Sequence, residues 1–394
     1  MMNDDSVVIA GAARTPMGGM MGALSSVRSP ELGAVAIAAA IEKAGLTPAD
    51  IDEVVMGCVL PAGLGQAPAR QASRAAGIPD ASGCTTVNKM CGSGMQAVIL
   101  AHDQIRAGTN KVMVAGGMEN MSQAPYLLPK ARAGMRMGHG QVMDSMFFDG
   151  LEDAYDGGLM GVFAQRSADE YGIDRETMDQ FAIGSLQKSL QAIQNGWFNE
   201  EIAAVKVPGR RGDTVVDTDE QPGNAKPEKI PQLKPAFKKD GTVTAANSSS
   251  ISDGASALVL TTAAVAREKG LTPIARIVAH ATHARLPAEF TLAPIGAIQK
   301  VLDKAGWRQD DVDLYEINEA FAVVTLLAIQ QLGLDGDKVN VYGGACALGH
   351  PIGSSGSRIL VTLISALRQR GLSRGVASLC IGGGEGTAVA VELL

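Results

Sequence analysis

Residues Ala44–Asp52 read AGLTPADID, and residues Ala305–Asp313 read AGWRQDDVD. In both stretches a helix end is followed by a glycine, a short polar linker and the start of a strand. The second stretch follows the first by 261 residues (from 44 to 305). Nearly the same offset relates Val112–Glu119 to Ala377–Glu385, and each of these segments reads as a strand followed by glycines and an acidic residue. Two matches in register predict an internally duplicated protein.

Each copy alternates short apolar strands with helical stretches. In the first copy, Val7–Ala12 and Ile51–Gly57 are predicted to be buried strands, and Glu31–Ala44 an amphipathic helix. This alternation predicts an α/β fold with mixed, mainly parallel sheets covered by helices. The two halves should pack with pseudo-twofold symmetry.

The segment from about Asn120 to Asn247 differs from both copies. Eight of the 17 methionines lie between Met113 and Met160, and they suit either a pocket for a pantetheine-like arm or ordinary loop and subunit packing. Asp174–Gly196 is predicted to be a capped helix. Lys206–Asp240 is rich in basic residues interleaved with acids, which suits a solvated loop face or a polyphosphate partner.

Composition excludes several classes of protein. With 34 basic against 41 acidic side chains, the net charge of −7 argues against a nucleic-acid binder. Five cysteines without a C-x-x-C motif suit a reducing compartment and argue against structural zinc. The acidic N-terminus does not resemble a signal peptide, and no apolar stretch approaches the roughly 20 residues of a membrane span. A soluble cytoplasmic protein is expected.

The residues Val87–Val98 read VNKMCGSGMQAV and place a cysteine just before a helical pattern. Apolar residues recur from Met95 at helical spacing, which predicts that Cys91 lies at a helix N-terminus. Unpaired N–H groups there favour an anion, so we expect the thiol pKa to be lowered toward the nucleophilic thiolate. Gly92 and Gly94 are expected to let a ligand approach the backbone.

Two other interpretations of this stretch remain open. Cys91 could be a small buried hydrophobic residue, as free cysteines often are. Gly92–Ala97 also matches the dinucleotide-binding pattern G-x-G-x-x-A, with Glu119 as the acid about 20 residues later. Against that pattern, the preceding strand Cys84–Val87 is short, and Asn88–Met90 interrupts it before the first glycine.

The second copy carries three stretches that suit chemistry, namely Glu316–Phe321, Gly343–Gly356 around His350, and Leu379–Gly386 with Cys380. Singly, each has a structural explanation as a cap, a turn or a buried cysteine. Jointly with Cys91 they provide a nucleophile, a base, a second thiol and glycine N–H donors. These are the groups that acyl transfer through a thioester requires.

The remaining histidines do not predict a metal site. His280 and His283 form an H-x-x-H pattern after a strand with no evident third ligand, His102 lies within a helix, and His139 lies in the middle segment. We therefore expect no bound metal.

The sequence resembles the thiolase family over essentially its whole length. The motifs Asn88–Gly94, Asn318–Phe321, Gly349–Pro351 and Cys380–Gly384 occur in the family's order. The resemblance implies a duplicated five-layer αβαβα core with an inserted loop domain. On this basis we divide the chain into an N-terminal half (1–119 and 248–270), a loop domain (120–247) and a C-terminal half (271–394).

The resemblance also implies roles for individual residues. Cys91 is the acylated nucleophile, activated by His350, and Cys380 acts as acid and base at the C2 carbon of the substrate. Asn318, through a water, and His350 form one oxyanion hole. The backbone N–H groups of Cys91 and Gly382 form the other.

The implied reaction is the reversible Claisen condensation of two acetyl-CoA to acetoacetyl-CoA plus CoA, an acetyl-CoA C-acetyltransferase activity. The alternative is thiolysis of longer 3-ketoacyl-CoA substrates, of the β-oxidation type. CoA thioesters are substrates, no resident cofactor is expected, and a homo-oligomer (a dimer of dimers) is implied. The residues that match the pantetheine and acyl pocket are Ser249, Met160, Phe237, Ala320 and Phe321.

Two positions depart from the family pattern. Many thiolases carry His-Met-Gly in the loop domain, where this chain reads Leu159-Met160-Gly161. The arginine often found at the nucleotide end of CoA is missing near Pro222, and Lys226 or Lys229 could replace its charge.

Three other functions fit these motifs less well than a thiolase does. A decarboxylating ketosynthase of related fold would use a second histidine at the position of Cys380. A nicotinamide dehydrogenase rests only on the glycine pattern. A non-catalytic acyl-CoA-binding relative would have lost Cys91 or His350, and both are present.

Overall fold

A computed structural model describes residues 3–394, so Met1 and Met2, which begin the acidic N-terminal segment, lie outside it. The strands are β1 (Val7–Arg14), β2 (Gly18–Gly19), β3 (Glu53–Gly57), β4 (Gly83–Val87), β5 (Val112–Asn120), β6 (Tyr126–Leu127), β7 (Met143–Asp144), β8 (Val205–Val207), β9 (Thr214–Val216), β10 (Ser252–Thr262), β11 (Ala275–Ala284), β12 (Leu314–Ile317), β13 (Arg374–Ile381) and β14 (Glu385–Leu393).

The α-helices are α1 (Ser29–Lys43), α2 (Pro68–Ala75), α3 (Ser93–Arg106), α4 (Met160–Tyr171), α5 (Arg175–Gln194), α6 (Glu220–Asn224), α7 (Ala263–Glu268), α8 (Ala293–Ala305), α9 (Ala322–Leu332), α10 (Ala345–Leu348) and α11 (Ser355–Arg370). Short 3₁₀ segments and one π-helical turn join them. Among residues 3–394, no helix is both long and apolar enough to span a bilayer.

The main sheet runs in the order β12-β13-β14-β11-β1-β10-β5-β3-β4. In the first half, β1, β3, β4 and β5 point the same way and β10 runs opposite to them. In the second half, β11, β12 and β13 share one direction and β14 opposes them. A short antiparallel pairing of β1 with β11 joins the two halves. The predicted mixed, mainly parallel α/β arrangement is confirmed.

The core divides into layers because the strands of each half are covered on both faces. One cluster packs α1 and α2 on the outer face of the first half, and another packs α8 and α9 on the outer face of the second half. The largest cluster lies between the halves and contains α3 and α11 together with apolar residues from both sets of strands. These are the five predicted layers, with α3 and α11 in the middle.

The duplication extends to individual hydrogen bonds. Asp52 Oδ2 accepts hydrogen bonds from the N–H groups of Lys111 and Val112, at 2.8 and 2.9 Å. Asp313 Oδ2 accepts equivalent bonds from the N–H groups of Ser373 and Arg374, at 3.0 and 2.8 Å. The matched strands are therefore confirmed as equivalents.

The acids at the ends of these strands are not equivalent, contrary to the sequence comparison. By strand register, residues of β5 match residues of β13 at an offset of 262 (from 113 to 375). Glu119 therefore matches Ile381, whereas Glu385 begins the next strand. The glycine turn before Glu385 is longer, which made the two acids look alike in sequence.

The two central helices meet at their first turns through a pair of glycines. A Cβ on Gly94 would lie 2.9 Å from the backbone nitrogen of Ser357, and a Cβ on Gly356 would lie 2.5 Å from that of Met95. The offset is again 262 (from 94 to 356), so each helix contacts the other through the equivalent position. The pseudo-twofold axis passes between these N-termini.

Between β5 and β10 the chain forms α4, α5 and several short elements. Asp174 accepts a hydrogen bond from the Thr177 N–H at 2.8 Å, and Gly196 has a φ of +69°, so the predicted helix and both of its ends are confirmed. The methionines between Met113 and Met160 do not form one continuous wall of a pocket. Met121 and Met146 are buried, whereas Met137 is exposed. The boundaries of the predicted domains stay a prediction.

Candidate active site

Cys91 lies in a tight turn between β4 and α3, as the sequence predicted. Met90 has a φ of +47°, which reverses the chain, and Gly92 caps the helix that starts at Ser93. The Ser93 hydroxyl donates to the Met90 carbonyl at 2.6 Å and accepts from the Lys89 N–H at 2.9 Å. The turn thus holds the cysteine at a fixed point at the start of α3.

The two glycines next to the cysteine serve packing, which corrects the expectation that they admit a ligand. A Cβ on Gly92 would lie 2.4 Å from the Ile381 side chain, and Gly94 is the contact point with α11. Neither position has room for a side chain. Their role is to bring the first turn of α3 against the second half of the molecule.

His350 lies before the N-terminus of α11 and is buried. Its Nδ1 lies 2.5 Å from the Ser355 hydroxyl oxygen, and that hydroxyl lies 3.0 Å from the Pro351 carbonyl. Because the carbonyl can only accept, Ser355 donates to it and accepts from Nδ1–H of His350. This arrangement leaves the lone pair on Nε2, which can take a proton.

Asn318 follows β12 and lies beside the imidazole. Its Nδ2 is 3.5 Å from His350 Nε2, and its Oδ1 is buried without a hydrogen-bond partner among residues 3–394. Buried amides normally use their hydrogen-bonding groups. Asn318 Oδ1 can therefore accept a hydrogen bond from a water, which is the form in which the oxyanion role of Asn318 is predicted.

Cys380 and Gly382 lie at the end of β13. Cys380 is buried within a cluster that includes Phe163, Phe290 and Ala320. Gly382 lines the same cavity as Cys91, and its backbone N–H acts to lower the pKa of the Cys91 thiol. Beyond it, Gly384 has a φ of +91°, and a Cβ there would lie 2.6 Å from the Leu286 carbonyl oxygen, so the turn requires glycine.

A largely apolar cavity of about 380 Å³ joins these groups. Residues that the sequence singled out and that line it are Cys91, Met160, Phe237, Ser249, Ala320, Phe321, His350, Cys380 and Gly382. Lys226 and Lys229 lie instead in a neighbouring cavity of about 340 Å³, which shares Ala245, Ser248 and Ser250 with the first. Asn318 contacts the site through His350.

Comparison with known proteins agrees with this geometry. Residues 7–264 match the family described as "Thiolase, N-terminal domain", and residues 271–393 match "Thiolase, C-terminal domain". The chain belongs to the thiolase family. It is 51% identical over 388 residues to a protein of Cupriavidus necator named acetyl-CoA acetyltransferase, covering 98% of this chain and 99% of that relative.

Solved structures of other thiolases share the whole fold. The acetyl-CoA acetyltransferase of Bacillus anthracis superposes with a TM-score of 0.96 at 42% identity, covering 99% of both chains. The Acat5 thiolase of Ascaris suum, solved in complex with coenzyme A, superposes with a TM-score of 0.93 at 42% identity, covering 99% of this chain and 100% of that one. The predicted family and fold are confirmed.

Burial controls the protonation of the thiolase site. The expectation that the helix N-terminus lowers the pKa of the Cys91 thiol is therefore wrong. Burial raises the pKa of Cys91 to about 11, although N–H groups of Gly382 and Cys91 itself act to lower it. Burial and the Arg358 cation lower the pKa of His350 to about 3. Burial, together with the charge of Cys91, raises the pKa of Cys380. At neutral pH all three groups are uncharged.

Glu119 supports the thiolase site, and the dinucleotide interpretation of this residue is wrong. Its carboxylate is fully buried and accepts hydrogen bonds from the N–H groups of Val59, Leu60 and Gly353, at 2.9, 3.2 and 2.9 Å. Burial raises the pKa of Glu119 to about 7, and these donors oppose the shift. The side chain is committed to holding the loop after His350 and cannot reach a ribose.

Sequence reasoning missed Ser355 and the apolar lining contributed by Phe147 and Ile352. Ser355 follows the histidine by five residues at the first turn of α11, a spacing that could have indicated a hydrogen bond to the ring. The apolar residues come from distant segments and carry no signal in one sequence. Leu159, the departure from the family pattern, lines the cavity and makes it more apolar.

Proposed function

We propose that this thiolase is an acetyl-CoA C-acetyltransferase that condenses two acetyl-CoA reversibly to acetoacetyl-CoA and CoA. The observation that carries the proposal is the meeting of Cys91, His350, Cys380 and Gly382 in one apolar cavity. Its mainly apolar lining limits the water that can reach a thioester intermediate. Relatives at about half identity that bear the acetyl-CoA acetyltransferase name support the same activity.

The first step acylates Cys91. Its thiol passes the proton to Nε2 of His350 as sulfur attacks the carbonyl carbon of acetyl-CoA. The tetrahedral intermediate collapses, the bond to the CoA sulfur breaks, and the departing CoA thiolate takes the proton of Cys380. Acetyl-Cys91, an imidazolium and a Cys380 thiolate remain. The opposite charges of the last two groups stabilise each other, which offsets the cost of burying them.

The second step forms the carbon–carbon bond. The Cys380 thiolate removes a C2 proton from a second acetyl-CoA, and the resulting enolate attacks the carbonyl carbon of acetyl-Cys91. Collapse releases acetoacetyl-CoA, and the Cys91 thiolate recovers the proton from His350. Acetylated Cys91 cannot form a thiolate, so no negative charge at position 91 opposes ionisation of Cys380 in this step. The two thiols can therefore act in sequence.

Two sets of donors meet the charge that develops on oxygen. We infer that the N–H groups of Cys91 and Gly382 stabilise the oxyanion that forms on the acyl oxygen of acetyl-Cys91. Protonated His350 and the Asn318 amide, the latter through a water, suit the enolate oxygen. Each of these protein groups is held before the substrate binds, by the turn before α3, the loop before α11 and the loops after β12 and β13.

The remaining proposals concern the binding of CoA, the cellular compartment and the oligomeric state. We infer that the pantetheine arm passes Met160, Phe237 and Ser249, and that Lys226 and Lys229 in the adjoining cavity attract the CoA phosphates. No resident cofactor takes part in the proposed steps. The five unpaired cysteines suit a reducing cytoplasm. A homotetramer acting in fatty acid metabolism is proposed, and light scattering should give four times the chain mass of 40.7 kDa.

The test is a thiolysis assay that follows loss of the enolate absorbance after CoA is added to acetoacetyl-CoA or to a longer 3-ketoacyl-CoA. Cleavage of acetoacetyl-CoA alone supports the acetyltransferase. Cleavage of both supports a thiolase of broader chain length. No cleavage of either would overturn the proposal.

Variants separate the two thiols. Cys91→Ala should abolish acetylation by radiolabelled acetyl-CoA, whereas Cys380→Ser should retain part of the acetylation and lose condensation. Cys84→Ala, on β4 outside the cavity, is the matched control and should behave as the wild type. Equal residual turnover in the first two variants would contradict the division of roles.

A further inference from the structure

A cluster of two histidines and one aspartate lies outside the active site, on the surface where the two halves meet. His102 and Asp103 belong to α3, and His280 belongs to β11. Asp103 Oδ1 lies 2.9 Å from His102 Nδ1 and 3.0 Å from His280 Nε2. The sequence offered His280 no third ligand, and the fold supplies two from a helix of the other half.

The H-x-x-H pattern itself is not the site. Side chains of a strand alternate between faces, so His280 and His283, three residues apart, point to opposite sides of β11. A Cβ on Gly296 would lie 2.5 Å from the His283 ring, which therefore packs against α8. His280 instead faces α3, where its ring lies 5.0 Å from that of His102 in an edge-on arrangement.

The donor atoms are spaced as metal ligands are. The two ring nitrogens and the carboxylate oxygen all lie within 4.8 Å of one another. Ligands at about 2.0–2.1 Å from a tetrahedral Zn²⁺ are about 3.3 Å apart, so small side-chain rotations would suffice. Imidazole and carboxylate are both common zinc ligands.

The three side chains are only partly buried. Side-chain exposures of 16%, 56% and 21% for His102, Asp103 and His280 leave one side open to water.

We propose that His102, Asp103 and His280 bind one divalent cation of borderline softness, Zn²⁺ in the first instance, with water as the fourth ligand. The metal takes the lone pairs of Nδ1 on His102 and Nε2 on His280. The proton that each of these nitrogens donates to Asp103 moves to the other nitrogen of its ring, so no proton is released. Arg106 and Lys304, the neighbouring cations, moderate the affinity.

Such a site would fasten the two halves together. The ligands come from an element of each half, so the folded chain binds the ion and the unfolded chain does not retain the geometry. Binding to the folded state alone raises stability in proportion to the logarithm of free metal. The site lies well away from the nucleophile, since 11 residues of chain, mostly α3, separate position 102 from position 91, or roughly 16 Å along a helix.

Calorimetric titration of metal-free protein with ZnCl₂ tests the proposal. Compared with the wild type, His280→Ala and Asp103→Asn should lose one equivalent of bound zinc or bind it at least about tenfold more weakly. Zinc should raise the melting temperature of the wild type and not that of these variants. His139→Ala, an exposed histidine in the loop domain, is the matched control and should retain the extra equivalent.

Other zinc ligands do not obscure the result. The active-site thiols are present in every variant, so any zinc that they bind cancels in the comparison. His280→Ala should keep wild-type thiolysis, which shows that it folds. Equal zinc stoichiometry and affinity in wild type and His280→Ala, or binding in the wild type weaker than millimolar, would overturn the site.

Discussion

The two halves of this thiolase share a scaffold but contribute unequally to the chemistry. α3 and α11 begin at equivalent positions and touch through Gly94 and Gly356. The first half places only Cys91 near these helix N-termini. The second half places His350 there and adds Cys380 at the end of β13. Strand register matches Cys380 to Met118, a fully buried apolar residue. Duplication thus supplied the frame, and divergence between equivalent positions supplied the proposed catalytic groups.

The largest expected effect comes from breaking the contact on the pseudo-twofold axis. Gly94→Ala and Gly356→Ala should each destabilise the protein by about 3 kcal/mol, because the added Cβ meets backbone atoms of the other helix. Both should also lose thiolysis, since the two reactive side chains move apart. Thermal melts and the acetoacetyl-CoA assay measure these losses.

Gly184→Ala is the control for helix propensity. Gly184 lies inside α5 with nothing within 4 Å of an added Cβ, so alanine should stabilise the protein by up to about 1 kcal/mol. If the two central substitutions also stabilised the protein, the proposed contact would be wrong.

The second prediction concerns Cys91 and His350, which lie on either side of the pseudo-twofold axis. Burial raises the pKa of the thiol and lowers the pKa of the imidazole. Iodoacetamide should alkylate Cys91 about a hundredfold faster at pH 10 than at pH 8, because the fraction of thiolate keeps rising up to a pKa of about 11. A thiol with an ordinary pKa near 9.0 would gain only about tenfold. Labelling is followed by mass spectrometry.

Acetyl-CoA should protect the site, and Cys91→Ala should remove the labelled peptide. A plateau below pH 8 would show that the helix terminus outweighs burial. The raised pKa also implies that stability falls as the pH rises from 9.0 to about 11, because the unfolded chain releases the thiol proton first.

The third prediction tests whether the second half orients its own base. Ser355→Ala should lower kcat about tenfold with little change in KM, because Nδ1–H of His350 loses its acceptor and the Nε2 lone pair is less well defined. Ser355→Thr should restore activity. Ser365→Ala, on the same helix, is the control, and a loss of stability without a loss of kcat would make Ser355 a structural residue only.

The smallest effect tests the symmetry itself. Asp52→Asn and Asp313→Asn each weaken two hydrogen bonds from backbone N–H groups and should cost similar amounts, about 1 kcal/mol each. Chemical denaturation of the two variants measures the difference. A cost at one position only would show that the equivalent turns have diverged in energy.

Sequence reasoning succeeded where a local pattern dictates a local structure. The helix after Cys91, the helix starting at Asp174 and the repeated linker all follow from caps, glycines and spacing, which act over a few residues. The resemblance to thiolases then brought together positions more than 200 residues apart, and the cavity contains most of them. Lys226 and Lys229 lie in the next cavity, because charge alone does not specify distance.

The sequence by itself determined the duplicated α/β fold and predicted which groups react, because periodicity and short motifs are properties of neighbouring residues. The tertiary structure alone decided their environment. Burial raises the pKa of Cys91 against the local helix terminus, Gly92 and Gly94 face packed side chains, and Ser355 selects the tautomer of His350. It also brings His280 against His102 and Asp103. Desolvation and contact depend on what the rest of the chain places nearby, and no local pattern records that.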